Sequence, residues 1–122
     1  MARHNELGKW GEEMAQEFLI KRGYAILATN RRVAGVEIDI IAQLDTSIAF
    51  VEVKTRRSPL ADPLEAITPA KEKRLARAAD AYLQQAKVPW RPQFDIIAVS
   101  GTPQNFEVTH YPDAFLPPLV VY

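Results

Sequence analysis

The sequence predicts an α/β protein in which a mixed β-sheet is flanked by helices, in the order helix, three strands, helix, strand. Apolar residues recur at helical spacing over residues 7–19. Residues 37–54 contain two isoleucine- and valine-rich runs that a short polar turn separates, which is typical of an antiparallel hairpin. A second helical pattern over 69–87 precedes an apolar run at 94–100, so this helix joins two parallel strands by a right-handed crossover.

Length and composition favour a single domain over residues 1–122. The chain is 48% hydrophobic and 25% charged, and a domain of this size needs no metal or disulfide to fold. It contains no cysteine, which excludes disulfide scaffolds, thiolate zinc sites and thiol nucleophiles. Its apolar runs fall short of the roughly 20 residues that span a bilayer, and the first residues lack the apolar stretch of a signal peptide. We therefore expect a cytoplasmic protein with no membrane partner.

The first predicted helix runs from Asn5, a suitable N-cap, to about Arg22, and Gly23 ends it. Its buried stripe consists of apolar and small residues: Leu7, Gly11, Met14, Ala15, Phe18 and Leu19. Residues 24–28 read as the first strand, and residues 30–35 as a polar, basic turn.

Residues 37–44 and 48–54 are predicted to be the second and third strands, joined by a turn at 45–47. Residues 55–68 contain two prolines and are predicted to form a long loop.

The second predicted helix begins at Thr68-Pro69, where proline is tolerated in the first turn, and continues to about Lys87. The strand at 94–100 is nearly all apolar, which is typical of a strand covered on both faces. Residues 106–111 are predicted to form a short fifth strand.

Charge is balanced over the whole chain but not along it. Fifteen basic and fifteen acidic residues give a pI near 6.7, which argues against a protein that coats nucleic acid through bulk charge. Residues 54–77 nevertheless hold seven basic side chains against three acidic ones; the basic ones are Lys54, Arg56, Arg57, Lys71, Lys73, Arg74 and Arg77. This local patch suits a polyanion bound at one place, and the alternative is a solvated helix with a loop before it.

Carboxylates lie within the otherwise apolar hairpin. Glu37 and Asp39 are on the second strand, and Glu52 is on the third, two residues before Lys54 and therefore on the same face. Unpaired charge is expensive to bury, so these carboxylates need a partner. Two alternatives could supply this partner: a salt bridge to Lys54, or a divalent cation.

Oxygen ligands without histidine or thiolate suit Mg²⁺ or Mn²⁺. Such an ion polarises a phosphodiester and activates water for in-line attack. Lys54 is then placed either to position the water or to neutralise the developing phosphoryl charge.

The order of these residues resembles the PD-(D/E)xK nuclease signature, in which an aspartate, a short hairpin and a Glu-x-Lys follow one another. More closely, the chain resembles the bacterial YraN family of Holliday-junction-resolvase-like proteins. The matching segments cover nearly the whole chain in order: residues 8–12, 23–24, 30–31, 37–41, 50–56, 71, 94–95 and 113–115.

This resemblance implies a restriction-endonuclease-like fold. It also implies that Asp39 and Glu52 are metal ligands, that Lys54 is the catalytic lysine, and that Glu12 is an accessory acid from the first helix. Independently, Glu12 lies beside small residues on a helical wheel, so its face can approach the sheet closely. The alternative for Glu12 is a partly exposed acid bonded to Arg31 or Lys54.

Residues that could contact nucleic acid follow the hairpin. Arg56 and Arg57 lie just beyond it, and Lys71, Arg74 and Arg77 form one slanting row at the start of the second helix, where phosphate binds well. Trp10, Trp90 and Tyr24 are either stacking platforms for bases or ordinary core and rim residues. His4 and His110 stand in no recognisable constellation.

The hypothesis that best accounts for these features is that the chain is a metal-dependent endonuclease-like protein. It would act on structured or branched DNA with Mg²⁺ or Mn²⁺ as cofactor. One alternative is a nucleic-acid-binding module on the same fold with little or no catalysis. A further alternative is a protein-interaction domain whose acids and lysine are merely paired. Resolvases act on two strands, so the resemblance also suggests a homodimer.

The chemistry constrains the register of the hairpin. Directly paired residues of antiparallel strands point to the same face, so Asp39 and Glu52 converge only if paired residue numbers add to an odd sum. We therefore predict a loop of two or four residues, or a β-bulge, between the second and third strands. A three-residue loop without a bulge would place Asp39 opposite Val53 and send the two carboxylates to opposite faces.

Overall fold

The structure is a computed structural model and describes residues 6–58, 67–87 and 89–115. Its elements in chain order are α1 (Glu6–Lys21), β1 (Ala25–Val33), β2 (Val36–Leu44), β3 (Ser47–Arg56), α2 (Pro69–Ala86), β4 (Arg91–Thr102) and β5 (Asn105–Tyr111). The expected α/β class and element order are confirmed, including the short fifth strand. The predicted cap Asn5 and the centre of the predicted loop lie outside the described residues.

Within the described residues, the strands form one sheet in the order β1-β2-β3-β4-β5. The β3–β4 pair is parallel and the other pairs are antiparallel. The connection between β3 and β4 contains α2, as expected for parallel neighbours. Glu52 and Lys54 therefore lie on the middle strand of the sheet.

The two faces of the sheet hold separate apolar clusters. Val51 and Val53 of β3 pack with Ala15 and Leu19 of α1, whereas Phe50 of the same strand packs with residues of α2. Because side chains alternate along a strand, the two helices cover opposite faces. Glu52 and Lys54 have the parity of Phe50 and belong to the α2 side.

The first helix approaches β3 closely through Gly11. A β-carbon at Gly11 would overlap the side chain of Thr55. The expectation that small residues bring this face of the helix close to the sheet is confirmed at this position.

The predicted basic turn at 30–35 is wrong. β1 continues to Val33, and Arg31 and Arg32 are paired with residues of β2. Because β1 is an edge strand with exposed side chains, its arginines stay in contact with solvent and incur no desolvation cost. The actual turn is Ala34-Gly35, where both residues have positive φ.

The helix α2 begins where its sequence predicts. The Thr68 hydroxyl accepts a hydrogen bond from the Lys71 backbone N–H at 3.2 Å, and Pro69 follows in the first turn. At the other end, Lys87 adopts a left-handed conformation. The side chain of Lys71 is thereby held in the first turn of α2.

The register of the β2–β3 hairpin confirms the prediction of an odd sum. Leu44 pairs with Ser47 and Ile40 pairs with Val51, so the loop consists of Asp45 and Thr46 alone. Continuing this register would place Asp39 opposite Glu52, although the regular pairing stops at Ile40.

We expect Gly11→Ala to destabilise the protein, although alanine favours a helix by about 1 kcal/mol over glycine. The new methyl group must displace Thr55 on a buried strand, and overpacking of this kind costs about 1–3 kcal/mol. Urea denaturation measures the free energy of unfolding. Adding Thr55→Ala removes the two closest obstructing atoms and should recover part of the loss; a stabilised single variant would contradict the close approach.

Candidate functional site

Asp39 lies where β2 and β3 stop pairing. Its side chain is buried, and its Oδ2 accepts a hydrogen bond from the Val53 backbone N–H at 2.8 Å. The alternation of β2 is interrupted here, since Ile38 packs on the α2 side and Ile40 on the α1 side. The Asp39 carboxylate thus takes the place of a backbone acceptor and lies beside the backbone that precedes Lys54.

Glu52 is buried and carries two ammonium groups on one oxygen. Its Oε2 lies 2.7 Å from Lys71 Nζ and 3.0 Å from Lys54 Nζ. Burial raises the pKa of the Glu52 carboxyl, but the hydrogen bond from Lys71 and the charge of Lys54 outweigh burial, so its pKa lies below the ordinary value. Glu52 is therefore ionised at neutral pH.

Lys54 connects this ion pair to an open cavity. A cavity of about 460 Å³ is lined by Lys54, Val53 and Thr55 of β3 together with Glu12 of α1. Arg56 and Arg57 line the same cavity. A ligand in this space would therefore meet the Lys54 and Glu12 side chains and two arginines.

Glu12 is buried on α1 but does not complete a triad. In the described part of the chain, no group of three or more histidine or carboxylate side chains is close enough to share a metal ion. Glu12 therefore borders the cavity without joining Asp39 and Glu52 in a single cluster.

The donor types suit a magnesium-like ion. Mg²⁺ is usually held by one or two carboxylates and keeps several waters, so Asp39 and Glu52 are the residues that would hold it. Glu52 already has two ammonium partners, so an ion bound at Glu52 would compete with them for the carboxylate. Bound there, Mg²⁺ or Mn²⁺ would supply a Lewis acid and an activated water.

The basic residues separate into groups. Lys71 contacts Glu52, whereas Arg74 and Arg77 are exposed farther along α2. Arg57 follows the end of β3 and also lines two further depressions beside the first cavity. Only Lys71 among the helix cations is part of the carboxylate site.

Sequence reasoning missed a second buried polar group, centred on Asp95 of β4. Its carboxylate contacts His110 Nε2 at 2.7 Å and accepts bonds from the Gln93 amide and the Asp113 backbone N–H. His110, for which the sequence showed no constellation, therefore has a definite partner. The available signal was a carboxylate within the apolar run of β4, which requires buried donors.

The aromatic residues considered for base stacking have protein partners. Trp10 packs edge-to-face against Phe106, and Tyr24 packs against His110. Trp90 packs at the margin of the α2-side cluster. These contacts favour the core-and-rim interpretation for these three residues.

Neither helix in the described ranges has the length and apolarity needed to cross a bilayer.

Comparison with known proteins identifies the family to which this chain belongs. The model of the uncharacterised protein family UPF0102 matches residues 11–99, and the chain belongs to this family, which corresponds to the YraN-like resemblance in the sequence. A UPF0102 protein of Bacteroides thetaiotaomicron is 46% identical over 98% of this chain and 99% of its own length. One from Flavobacterium psychrophilum is 44% identical over 94% and 98%, and one from Roseiflexus castenholzii is 44% identical over 92% and 94%. The matched region includes Glu12, Asp39, Glu52, Lys54 and Lys71.

We expect acid to remove the stabilising contribution of Glu52. Because its folded-state pKa is lowered, that contribution is complete above the ordinary glutamate pKa of 4.5 and is lost as pH falls through the folded-state value. Glu52→Gln should lower the free energy of unfolding by about 3 kcal/mol at pH 6, because two lysines lose their counter-charge.

This difference should shrink between pH 5 and pH 3 when unfolding is followed in urea at each pH. Glu13→Gln, which alters an exposed carboxyl of α1, serves as the control and should have little effect throughout. A deficit in Glu52→Gln that stays constant across this range would contradict the ionised pair.

Proposed function

We propose that this protein is a metal-dependent endonuclease-like enzyme of the PD-(D/E)xK type, which hydrolyses phosphodiesters in structured or branched DNA. The observation that carries the proposal is the placement of Asp39 beside the Glu52-x-Lys54 strand, where the hairpin pairing ends and where Lys54 lines an open cavity. The order and spacing of these residues match the nuclease signature, and membership of the family extends over the same segment.

We assign each residue a role that its contacts support. Asp39, oriented by the Val53 N–H, and Glu52 would hold Mg²⁺ or Mn²⁺. Lys54 reaches both Glu52 and the cavity, so its ammonium group is placed to neutralise charge that develops on a phosphate there. Glu12 borders the cavity from the opposite side, where it can orient a water molecule by accepting its hydrogen bond.

The basic surface supplies binding rather than chemistry. Arg56 and Arg57 extend from the cavity, and Arg74 and Arg77 are exposed on α2. Contacts from such side chains to phosphates are independent of sequence, which suits recognition by DNA shape. A homodimer would allow two strands of a junction to be cut, by analogy with resolvases.

A nucleic-acid-binding module with little catalysis is the second candidate. The observation that favours it is the occupation of Glu52 by two lysines together with the separation of Glu12 from the other carboxylates in the described residues. Cleavage assays distinguish the two candidates. A protein-interaction role in which these residues are only paired predicts neither metal nor DNA binding.

We expect the protein to cleave a four-way DNA junction in the presence of Mg²⁺ or Mn²⁺, and Asp39→Asn to reduce the rate by at least about 10²-fold. Loss of residues that merely support metal ligands already costs about 10–100-fold, so loss of a ligand charge should cost at least as much. Asparagine keeps an oxygen that can accept the Val53 N–H, which preserves the local fold.

The matched control is Asp45→Asn in the β2–β3 turn, which is exposed and should leave cleavage unchanged. Metal binding is measured separately, because an ion that binds only the native state raises the Tm. Metal-dependent stabilisation without cleavage would favour the binding module, and equal cleavage by wild type and Asp39→Asn would overturn the assigned site.

We expect Arg74→Glu combined with Arg77→Glu to weaken DNA binding and to flatten its salt dependence. Each lost phosphate contact lowers the slope of log K against log salt by about 0.9, so two contacts change it by about 2. Fluorescence anisotropy at several salt concentrations in EDTA measures both quantities.

Lys9→Glu combined with Lys21→Glu is the charge-matched control on α1. It makes the same change in net charge at the other helix and should leave the slope nearly unchanged. If both double variants behave alike, the α2 row is not the DNA surface.

A further inference from the structure

Two lysines share one oxygen of Glu52, and they reach it from different elements. Lys54 is on β3, two residues from Glu52, and its side chain is 16% exposed. Lys71 comes from the first turn of α2, and its side chain is 30% exposed. Lys54 is thus part of the strand that carries Glu52, whereas Lys71 is the more accessible partner and belongs to an independent element.

Lys71 competes with a metal ion for Glu52. A divalent cation held by both oxygens of the Glu52 carboxylate would share Oε2, which Lys71 Nζ contacts at 2.7 Å, and a cation held by Oε1 alone would still lie close to that ammonium group. The ammonium group and the ion also repel each other, and this repulsion is strong at a buried site. Lys71 in its observed position therefore opposes metal binding, while Lys54 alone leaves Glu52 with a single ammonium partner.

Lys71 is also placed to bind phosphate. Its backbone N–H is capped by Thr68, so it belongs to the N-terminal turn of a long helix. The helix dipole and a flexible lysine together favour an anion at such a position. Arg74 lies one turn farther along the same helix and is exposed, so a DNA backbone that reaches Arg74 passes within range of Lys71.

We propose that Lys71 is a positioning residue that couples DNA binding to metal binding. Without DNA, Lys71 serves as an internal counter-ion for Glu52; with DNA, it moves to a backbone phosphate and leaves Glu52 available to Mg²⁺. This inference rests on the proposed function, because it takes Glu52 as a metal ligand. Since coupling is reciprocal, each of the two ligands increases the affinity for the other.

The coupling has a signature in the separate affinities of the free protein. Replacing Lys71 with methionine removes the competitor, so Mn²⁺ should bind about 10-fold more tightly, within the usual range of coupling between sites. The same replacement removes a phosphate contact, so DNA binding in EDTA should weaken. A purely structural lysine would weaken both affinities, and a simple phosphate-binding lysine would weaken only DNA binding.

The experiment measures Mn²⁺ binding by electron paramagnetic resonance without DNA, and junction binding by anisotropy in EDTA, so neither readout depends on cleavage. Lys71→Met is compared with Lys73→Met, which removes an exposed charge of the same helix. This variant controls for the long-range electrostatic effect of removing one positive charge. Lys71→Gln provides a second variant with a polar side chain. Adding Glu52→Gln to the wild type and to each lysine variant tests whether the measured Mn²⁺ ion binds at Glu52.

The expected result is tighter Mn²⁺ and weaker DNA binding in both Lys71 variants, with metal affinity unchanged in Lys73→Met. Equal Mn²⁺ affinity in wild type and both Lys71 variants would overturn the coupling and leave the proposed function intact, provided that Glu52→Gln abolishes binding. Absence of Mn²⁺ binding at Glu52 in every variant would overturn the proposed metal site and the coupling together.

Discussion

Glu52 lies inside an apolar sheet and stays ionised because positive charge is brought to it, and this constraint organises the site. Glu52 receives one ammonium group from its own strand and one from α2. The position of α2 is in turn set by its apolar packing on the sheet, with Phe50 beside Glu52 on the same face. Packing energy thus holds Lys71 within reach of the carboxylate, and a disturbance of α2 would alter the electrostatics of Glu52.

The two carboxylates of the hairpin are stabilised in different ways. Asp39 accepts a hydrogen bond from a backbone N–H of the neighbouring strand. Glu52 is paired with two lysine side chains, and one of them comes from another element. The proposed metal site thus combines a carboxylate held by a backbone N–H with a carboxylate held by lysine side chains.

Local patterns predicted most of the elements, and the failures have local causes. The isoleucine- and valine-rich runs of β2 and β3 and the Thr68-Pro69 helix start were identified because alternation and capping act over a few residues. The end of β1 was misplaced because arginines on an exposed edge strand resemble a polar turn. The odd register of the hairpin was derived from the requirement that two carboxylates converge, and the two-residue loop satisfies it.

By itself, the sequence determined the element order, the buried carboxylates on adjacent strands and the Glu-x-Lys pair, since each depends on periodicity or spacing within a short segment. Only the tertiary structure decided that Lys71 contacts Glu52, that Asp39 binds the Val53 backbone, and that Asp95 pairs with His110. These contacts join residues that are 14 or more positions apart. They depend on how helices and strands pack against one another, which no local pattern of residues specifies.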